Sequence, residues 1–306
     1  MPIPDFQTLM LPLLRAAAVG EVRISDLTEH LADSFGLTLD ERTAMLPSGR
    51  QTTLTNRIGW AKTYLAKAGL VESKRRGYFS ATDRGREILA ERPTRIDIAL
   101  LSRFPEFQQF RRSSQDEAEA DAPVSSAVEA SGKTPDELLI ATHQQIEKTL
   151  RADLLDRLIK ASPAFFENTI VTLLLNMGYG GSREEAGRAI GRSGDGGVDG
   201  VIDQDPLGLD RVYVQAKRYQ ASSPIGEPEV RGFAGSLQGV KATKGVFVTT
   251  SYFTPQAKAF AEKIERRIVL IDGELLAQLM IKHDVGVRIQ DVLQIKKIDE
   301  DFFNSD

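Results

Sequence analysis

Three polar residues around position 200 have the chemistry needed to hold a metal ion and hydrolyse a phosphodiester bond. Asp199 ends the Gly-rich segment 194–199, and Gln215 and Lys217 lie in the run Val-Tyr-Val-Gln-Ala-Lys at 212–217. If the chain around Asp199 pairs with this run as a hairpin, the three side chains converge at one edge of a sheet. A carboxylate, an amide oxygen and a lysine in one place form a hard-cation site beside a group that can accept a proton.

The residues around these three support the hairpin. Val212, Val214 and Ala216 alternate with polar residues, which predicts a strand with one apolar face. The segment 203–210 is rich in Asp, Pro and Gly and predicts the preceding turn. A plainer interpretation stays open, because an aspartate in a Gly-rich segment is often a turn former and a strand lysine is often a solvated charge.

Composition excludes several other kinds of site. The chain has 306 residues and no cysteine, which rules out disulfides, thiolate zinc sites and cysteine nucleophiles. Its three histidines, His30, His143 and His283, lie in unrelated segments, so neither a His-rich metal site nor a serine–histidine triad is expected. We find no signal peptide and no apolar run of membrane-spanning length, and we expect a cytoplasmic protein without a membrane partner.

Residues 1–95 follow the pattern of a winged-helix DNA-binding domain. Predicted helices, the longest at 53–68, precede a short hairpin with the basic tip 74–76, and a closing helix starts at Thr82. The whole chain has a net charge of −4, but residues 42–95 contain twelve Lys and Arg against four acidic residues, a local charge of +8. This local excess of positive charge favours contact with nucleic acid.

Seven polar residues of this domain are candidate DNA contacts. In a winged helix the recognition helix enters the major groove and the wing touches the backbone. Four residues near the start of the long helix have side chains suited to base edges: Gln51, Thr52, Asn56 and Arg57. Three residues at the tip of the wing are predicted to contact phosphates: Lys74, Arg75 and Arg76. The alternative is that the domain only packs on the rest of the protein and its basic face is solvated.

An acidic segment follows this domain. Residues 96–134 are predicted to be a linker, flexible at 111–133, because 114–130 contain five acidic residues, no basic residue and no apolar period. Thr134 and Glu137 then form a capping-box pattern that predicts the start of a long helix.

The remaining residues, 135–306, are predicted to form an α/β domain. Strand-like runs alternate with helical patterns, which implies a mixed central sheet covered by helices on both faces. The predicted strands are 198–203, 211–218, 245–250 and 267–271, and the predicted helices after the hairpin are 228–237, 254–264 and 274–281.

The residues at about 155–285 resemble the Mrr-type restriction nuclease domain, a branch of the PD-(D/E)xK superfamily. The resemblance rests on four segments in order: Ser-Pro-Ala-Phe-Phe-Glu at 162–167, Gly-Tyr-Gly-Gly at 178–181, Gly-Asp-Gly-Gly-Val-Asp at 194–199 and Gln-Ala-Lys at 215–217. The N-terminal domain also resembles the one that precedes this nuclease in bacterial Mrr proteins. The implied fold is a winged-helix domain followed by a restriction-endonuclease-like α/β domain.

The resemblance implies a role for each site residue. Asp199 matches the metal-ligating aspartate, Lys217 matches the motif lysine, and Gln215 stands where many relatives have Glu or Asp. Glu167 matches the acidic residue that helps hold the metal or orient the attacking water. The implied ion is Mg²⁺ or Mn²⁺, with the carbonyl of Ala216 as a further ligand. Because an amide brings no charge, Glu167 and the substrate phosphate should contribute more to metal affinity.

A further acidic residue lies close to this set. Asp195 could belong to the same cluster, although capping of the Gly-rich turn is the preferred interpretation of this residue.

The resemblance also implies an activity. The leading hypothesis is a modification-dependent, type IV restriction endonuclease that cuts methylated double-stranded DNA. The alternatives are a non-catalytic DNA-binding protein with a degenerate nuclease fold, and a nuclease that acts on repair or recombination intermediates. One such site cuts one strand, so a double-strand break favours a homodimer or a larger symmetric oligomer.

Overall fold

The computed structural model of the chain describes residues 2–75, 77–113, 131–180, 198–204, 209–298 and 302. Their contacts form two compact units, one of residues 1–144 with 296–306 and one of residues 145–295. No helix in these ranges is both long and apolar enough to cross a membrane.

The first unit is helical with a small antiparallel sheet, as the winged-helix pattern predicts. Its helices are α1 (Phe6–Val19), α2 (Ile24–Ser34), α3 (Leu39–Thr43), α4 (Thr53–Lys67), α5 (Asp83–Ala90), α6 (Ile98–Leu101) and α7 (Pro105–Ser113). Its strands are β1 (Val22–Arg23), β2 (Val71–Arg75) and β3 (Tyr78–Ala81), in the sheet order β1-β3-β2. The β2–β3 pair is the predicted wing.

Local sequence explains the boundaries of α4, the predicted recognition helix. The Thr52 hydroxyl accepts a hydrogen bond from the Thr55 amide at 3.2 Å and caps the first turn. Gly69 follows the helix with a φ of +70°, a conformation that glycine adopts without strain. Between these ends, the apolar side chains at helical spacing are buried: Leu54, Ile58, Ala61 and Leu65.

The core of the first unit extends beyond the predicted domain boundary at residue 95. Ile96, Ile98, Leu101 and Phe107 are all buried in the same cluster as α1 and α4. The packing therefore places 96–113 with the first unit rather than in a linker. These apolar side chains gain stability by leaving water, and a composition average over a linker window does not detect so few of them.

The division of the chain into two units differs from the predicted start of the second domain. Residues 114–130, which contain the acidic run, lie outside the described residues. The contacts divide the chain after residue 144, past the predicted domain start at 135, and they group residues 296–306 with the first unit. Helix α8 (Pro135–Lys160) begins in the first unit and ends in the second.

The predicted capping box at the start of α8 is present. The Thr134 amide donates to the Glu137 carboxylate at 2.8 Å, and the Glu137 amide donates to the Thr134 hydroxyl at 3.3 Å. Two amides that the helix leaves without partners are thereby satisfied.

The second unit is built around a mixed four-stranded sheet. The strands are β4 (Gly200–Asp203), β5 (Arg211–Lys217), β6 (Lys244–Thr249) and β7 (Arg267–Ile271), in that spatial order. The helices are α9 (Pro163–Asn176), α10 (Glu227–Gly239), α11 (Pro255–Lys263) and α12 (Gly273–Lys282). The β4–β5 pair is antiparallel and the other two pairs are parallel, which confirms the predicted mixed sheet.

Helices cover both faces of this sheet. On one face, Phe166 and Ile170 of α9 and Leu276 of α12 share a buried cluster with Val212 and Val214 of β5. On the other face, apolar residues of α10 and α11 form a second buried cluster around β6: Val230, Phe233, Ala257 and Phe247. Burial on both faces explains why β6 is an almost continuous apolar run.

Candidate active site

The predicted hairpin carries Asp199 to the edge of β5. Gly200 pairs with Val214 and Ile202 pairs with Val212, so Asp199 lies one position before β4. Its amide donates to the Val214 carbonyl at 2.8 Å, which continues the ladder by one step. Its carboxylate Oδ2 accepts from the Ala216 amide, also at 2.8 Å. Oδ2 is thus held at the end of β5, and no hydrogen bond from a described residue occupies Oδ1.

Gln215 is buried beside this carboxylate. Its side chain is only 7% exposed, and its Oε1 has no hydrogen-bond partner among the described residues. A buried amide oxygen without a partner costs about 1–3 kcal/mol. A ligand that accepts electron density from Oε1 would remove this cost, and a hard cation is such a ligand.

Glu167 lies in the second turn of α9. Its neighbours Phe166 and Ile170 are buried against the sheet, which fixes the rotation of the helix. Burial raises the pKa of the Glu167 carboxyl above its usual range, the Asp199 carboxylate raises it further, and Lys217 opposes them. Three charged groups from three separate segments therefore act on one another at this end of the sheet.

Lys217 ends β5, and its main chain is fixed by the end of β6. Its carbonyl accepts from the Thr249 hydroxyl at 2.8 Å and from the Thr250 amide at 3.3 Å. Both threonines are buried. The position from which the Lys217 side chain projects is therefore set by the central sheet.

The residues present suit a divalent cation. Asp199 Oδ1, the Glu167 carboxylate and Gln215 Oε1 are hard oxygen donors. In the described ranges no three His, Cys, Asp or Glu side chains come together as a metal site. Two carboxylates and one amide are the ligands expected when the motif has Gln in place of an acidic residue. Asp195 lies outside the described residues, and ligation by the Ala216 carbonyl stays a prediction.

The first unit contains a correction to the predicted DNA contacts. Asn56 is 4% exposed, its Nδ2 donates to Asp136 at 2.6 Å and its Oδ1 accepts from the Thr134 hydroxyl at 2.7 Å. Arg57 is ion-paired with Glu137 at 2.7 Å. In this conformation neither side chain can reach a base edge, because this face of α4 packs on the start of α8.

The other predicted DNA contacts stay predictions. Thr52 is half-buried and caps α4, and Gln51 is half-buried at the same end of the helix. Lys74 and Arg75 belong to β2 by their main chain, but the side chains of 74–76 lie outside the described residues. Trp60, which shares a face with Asn56, donates its indole N–H to Asp136 at 3.1 Å.

Sequence analysis did not single out Arg218. It follows Lys217 directly, and its Nη1 donates to the Ile159 carbonyl at the end of α8 at 2.6 Å. The signal in the sequence was a second positively charged residue directly after the motif lysine.

Comparison with known proteins gives the following matches. A family model described as restriction endonuclease matches residues 158–280, and one described as Mrr N-terminal domain matches residues 6–91. The type IV methyl-directed restriction enzyme EcoKMrr of Escherichia coli (strain K12) is 37% identical over 311 residues, which cover 99% of this chain and 100% of that protein.

Two solved structures are similar over parts of the chain. The MspJI restriction endonuclease, in complex with a 27-mer oligonucleotide, is 27% identical over 44% of this chain and 32% of that one, with a TM-score of 0.34. The DNA modification-dependent restriction endonuclease AspBHI is 19% identical over 71% of this chain and 57% of that one, with a TM-score of 0.37.

Proposed function

Since this chain belongs to the Mrr-type restriction endonucleases, and is therefore a DNA endonuclease, we propose that it cuts modified DNA with a divalent metal ion bound by Asp199, Glu167 and Gln215. The observation that carries this proposal is the buried Oε1 of Gln215 beside Asp199, which has no hydrogen-bond partner among the described residues. A bound metal ion would satisfy this atom, which favours an active nuclease over the alternative of a degenerate one.

Each site residue has a task in the hydrolysis. A bound Mg²⁺ or Mn²⁺ supplies Lewis acidity and a water molecule of lowered pKa. Asp199 is held by the Ala216 amide, so its free oxygen is preorganised as a ligand. Lys217 places a positive charge where negative charge develops on the phosphate in the transition state. Glu167, which lies on α9, provides the remaining oxygen donor for the metal ion.

The substrate proposal comes from the relatives. The Escherichia coli relative is described as methyl-directed, which supports methylated double-stranded DNA as the substrate here. We assign sequence-independent DNA contacts to the wing residues Lys74, Arg75 and Arg76, and groove contacts to Gln51 and Thr52 at the start of α4. Two copies on one duplex would make the double-strand break, so we propose a homodimer on DNA.

Cleavage of plasmid DNA tests the proposed function. Methylated and unmethylated plasmids are incubated with the full chain, with Mg²⁺ or with a chelator. We expect cleavage of methylated plasmid with Mg²⁺ only. Asp199→Asn and Lys217→Ala should each lose cleavage, whereas the exposed controls Asp153→Asn and Lys282→Ala should keep it.

Three results would contradict parts of this proposal. Cleavage by Asp199→Asn at the wild-type rate would show that the site lies elsewhere. Undiminished cleavage in chelator would exclude the metal. Cleavage of branched DNA without regard to methylation would favour a nuclease for repair or recombination intermediates.

A further inference from the structure

The loop after β5 lines a cavity that the proposed chemistry does not use. Arg218, Tyr219, Gln220 and Ser223 surround it, together with Ile159 at the end of α8, and its volume is about 360 Å³. Pockets for small ligands have volumes of about 300–1,000 Å³. The cavity is open to solvent and can admit a phosphate group with part of its sugar.

The side chains that line the cavity have one chemical property in common. All four polar ones can donate hydrogen bonds, and none of them is acidic. Arginine, serine, glutamine and tyrosine are among the side chains that contact DNA phosphates. The lining therefore fits an anion better than a cation or an apolar ligand.

Arg218 is held with unused donors. Its Nη1 donates to the Ile159 carbonyl at 2.6 Å, and its Nε is buried without a partner among the described residues. A guanidinium presents five N–H groups in a planar fork that matches the geometry of phosphate oxygens. The enclosed Nε does not face solvent, so a phosphate in the cavity would meet the terminal N–H groups of the guanidinium.

The loop itself is fixed before any ligand binds. The Tyr219 amide donates to the Thr250 hydroxyl at 2.9 Å, and that hydroxyl donates to the Tyr219 carbonyl at 2.6 Å. The Ser251 hydroxyl donates to the Ala221 carbonyl at 3.4 Å. Because Thr250 and Ser251 are buried at the end of β6, the cavity has a rigid wall.

The position of Arg218 in the chain connects the cavity with the candidate active site. Arg218 is the residue after Lys217, and successive residues of an extended chain are about 3.8 Å apart. A DNA strand with its scissile phosphate at Asp199 continues past the end of β5, where the loop that begins with Arg218 lines the cavity.

We propose that this cavity binds the DNA phosphate next to the scissile one, with Arg218 as its cation. The inference rests on the proposed function, since only a phosphodiester at Asp199 brings a neighbouring phosphate here. The carboxylates of Asp199 and Glu167 repel the DNA backbone, and the positive charge of Arg218 offsets part of that repulsion.

The salt dependence of DNA binding tests this assignment. Duplex binding is measured in the full-length Asp199→Asn variant, so that cleavage does not interfere, over a range of KCl concentrations. Arg218→Met should lower the slope of log K against log salt by about 0.9, the value for one lost phosphate contact. The exposed control Arg288→Met should leave the slope unchanged.

Replacement of the two neutral hydrogen-bond donors of the cavity gives a second, independent measurement. Gln220→Ala with Ser223→Ala should weaken binding several-fold at every salt concentration without a change of slope, because these side chains displace no counterion. Gln256→Ala is a matched exposed control. Neither Gln220 nor Ser223 makes the framework contact of Arg218 with Ile159, so these variants separate phosphate binding from support of the fold.

The outcomes distinguish this inference from the proposed function. An unchanged slope in Arg218→Met, with Gln220→Ala and Ser223→Ala binding like their control, overturns the phosphate site and leaves Arg218 as a support for the end of α8. Failure of the proposed function shows itself separately, as cleavage that persists in Asp199→Asn.

Discussion

Replacement of Gln215 by leucine should stabilise the metal-free protein. The side chain is 7% exposed and its Oε1 has no hydrogen-bond partner in the described part of the chain. An unsatisfied buried polar group costs about 1–3 kcal/mol, and an apolar side chain of similar volume removes that cost. Gln215→Leu should therefore raise the free energy of unfolding of the second unit by about 1–3 kcal/mol in chelator.

The metal should stabilise the wild-type protein more than the variant. A ligand at 100 times its dissociation constant stabilises the folded state by about 2.7 kcal/mol. Wild-type protein should show a gain of this size at saturating Mg²⁺, and Gln215→Leu should show a smaller one because it has lost a ligand. The variant should also lose cleavage although it is more stable in chelator.

Urea denaturation followed by far-ultraviolet circular dichroism measures this effect. Trp60, the single tryptophan, lies in the first unit, so its fluorescence reports on that unit and serves as an internal control. Gln238→Leu, at an exposed position of α10, should change stability by less than about 0.5 kcal/mol. A loss of stability in Gln215→Leu without metal would refute the reasoning, because it would show that Oε1 is already satisfied.

Two further outcomes are expected. The pKa of Glu167 is raised above its ordinary value of 4.5 by burial and by Asp199, against the opposing effect of Lys217, so the folded chain holds this proton more tightly than the unfolded chain. The free energy of unfolding of the metal-free chain should therefore fall as pH rises from 4.5 through the folded-state pKa of Glu167, and Glu167→Gln should remove this fall. Urea midpoints that are the same for the two proteins at both pH 4 and pH 7 would contradict this expectation. In the first unit, Asn56→Ala should lower stability by roughly 1–3 kcal/mol, because the buried Thr134 hydroxyl loses its acceptor and, among the described residues, Asp136 keeps only the Trp60 donor. Binding assays of Asn56→Ala with different duplexes should show unchanged base preference. An altered preference would show that Asn56 contacts base edges.

Several features follow from the sequence because they depend on residues close together in the chain. The apolar–polar alternation along 212–217 determines which side chains of β5 face the core of α9, and the hairpin then brings Asp199 beside Gln215. The capping box of Thr134 and Glu137 determines where α8 begins, since the amides it satisfies lie within one helical turn. Such patterns are local, and the tertiary structure leaves them unchanged.

Other features were decided only by tertiary packing. Helical spacing shows that Asn56 and Arg57 lie close together on α4, but it does not show what covers them, and Asp136 and Glu137 occupy that face. Likewise Glu167 is separated from Asp199 by α9 and the chain that follows it, so their spacing contains no signal for their charge interaction, and only the family resemblance indicated that they share a site.

The cavity at Arg218 has the same origin. It forms where the loop after β5 meets Ile159 at the end of α8, far away in the chain. Local patterns determine which faces a chain offers, whereas contacts between distant segments determine which of those faces remain accessible to a metal ion or to DNA.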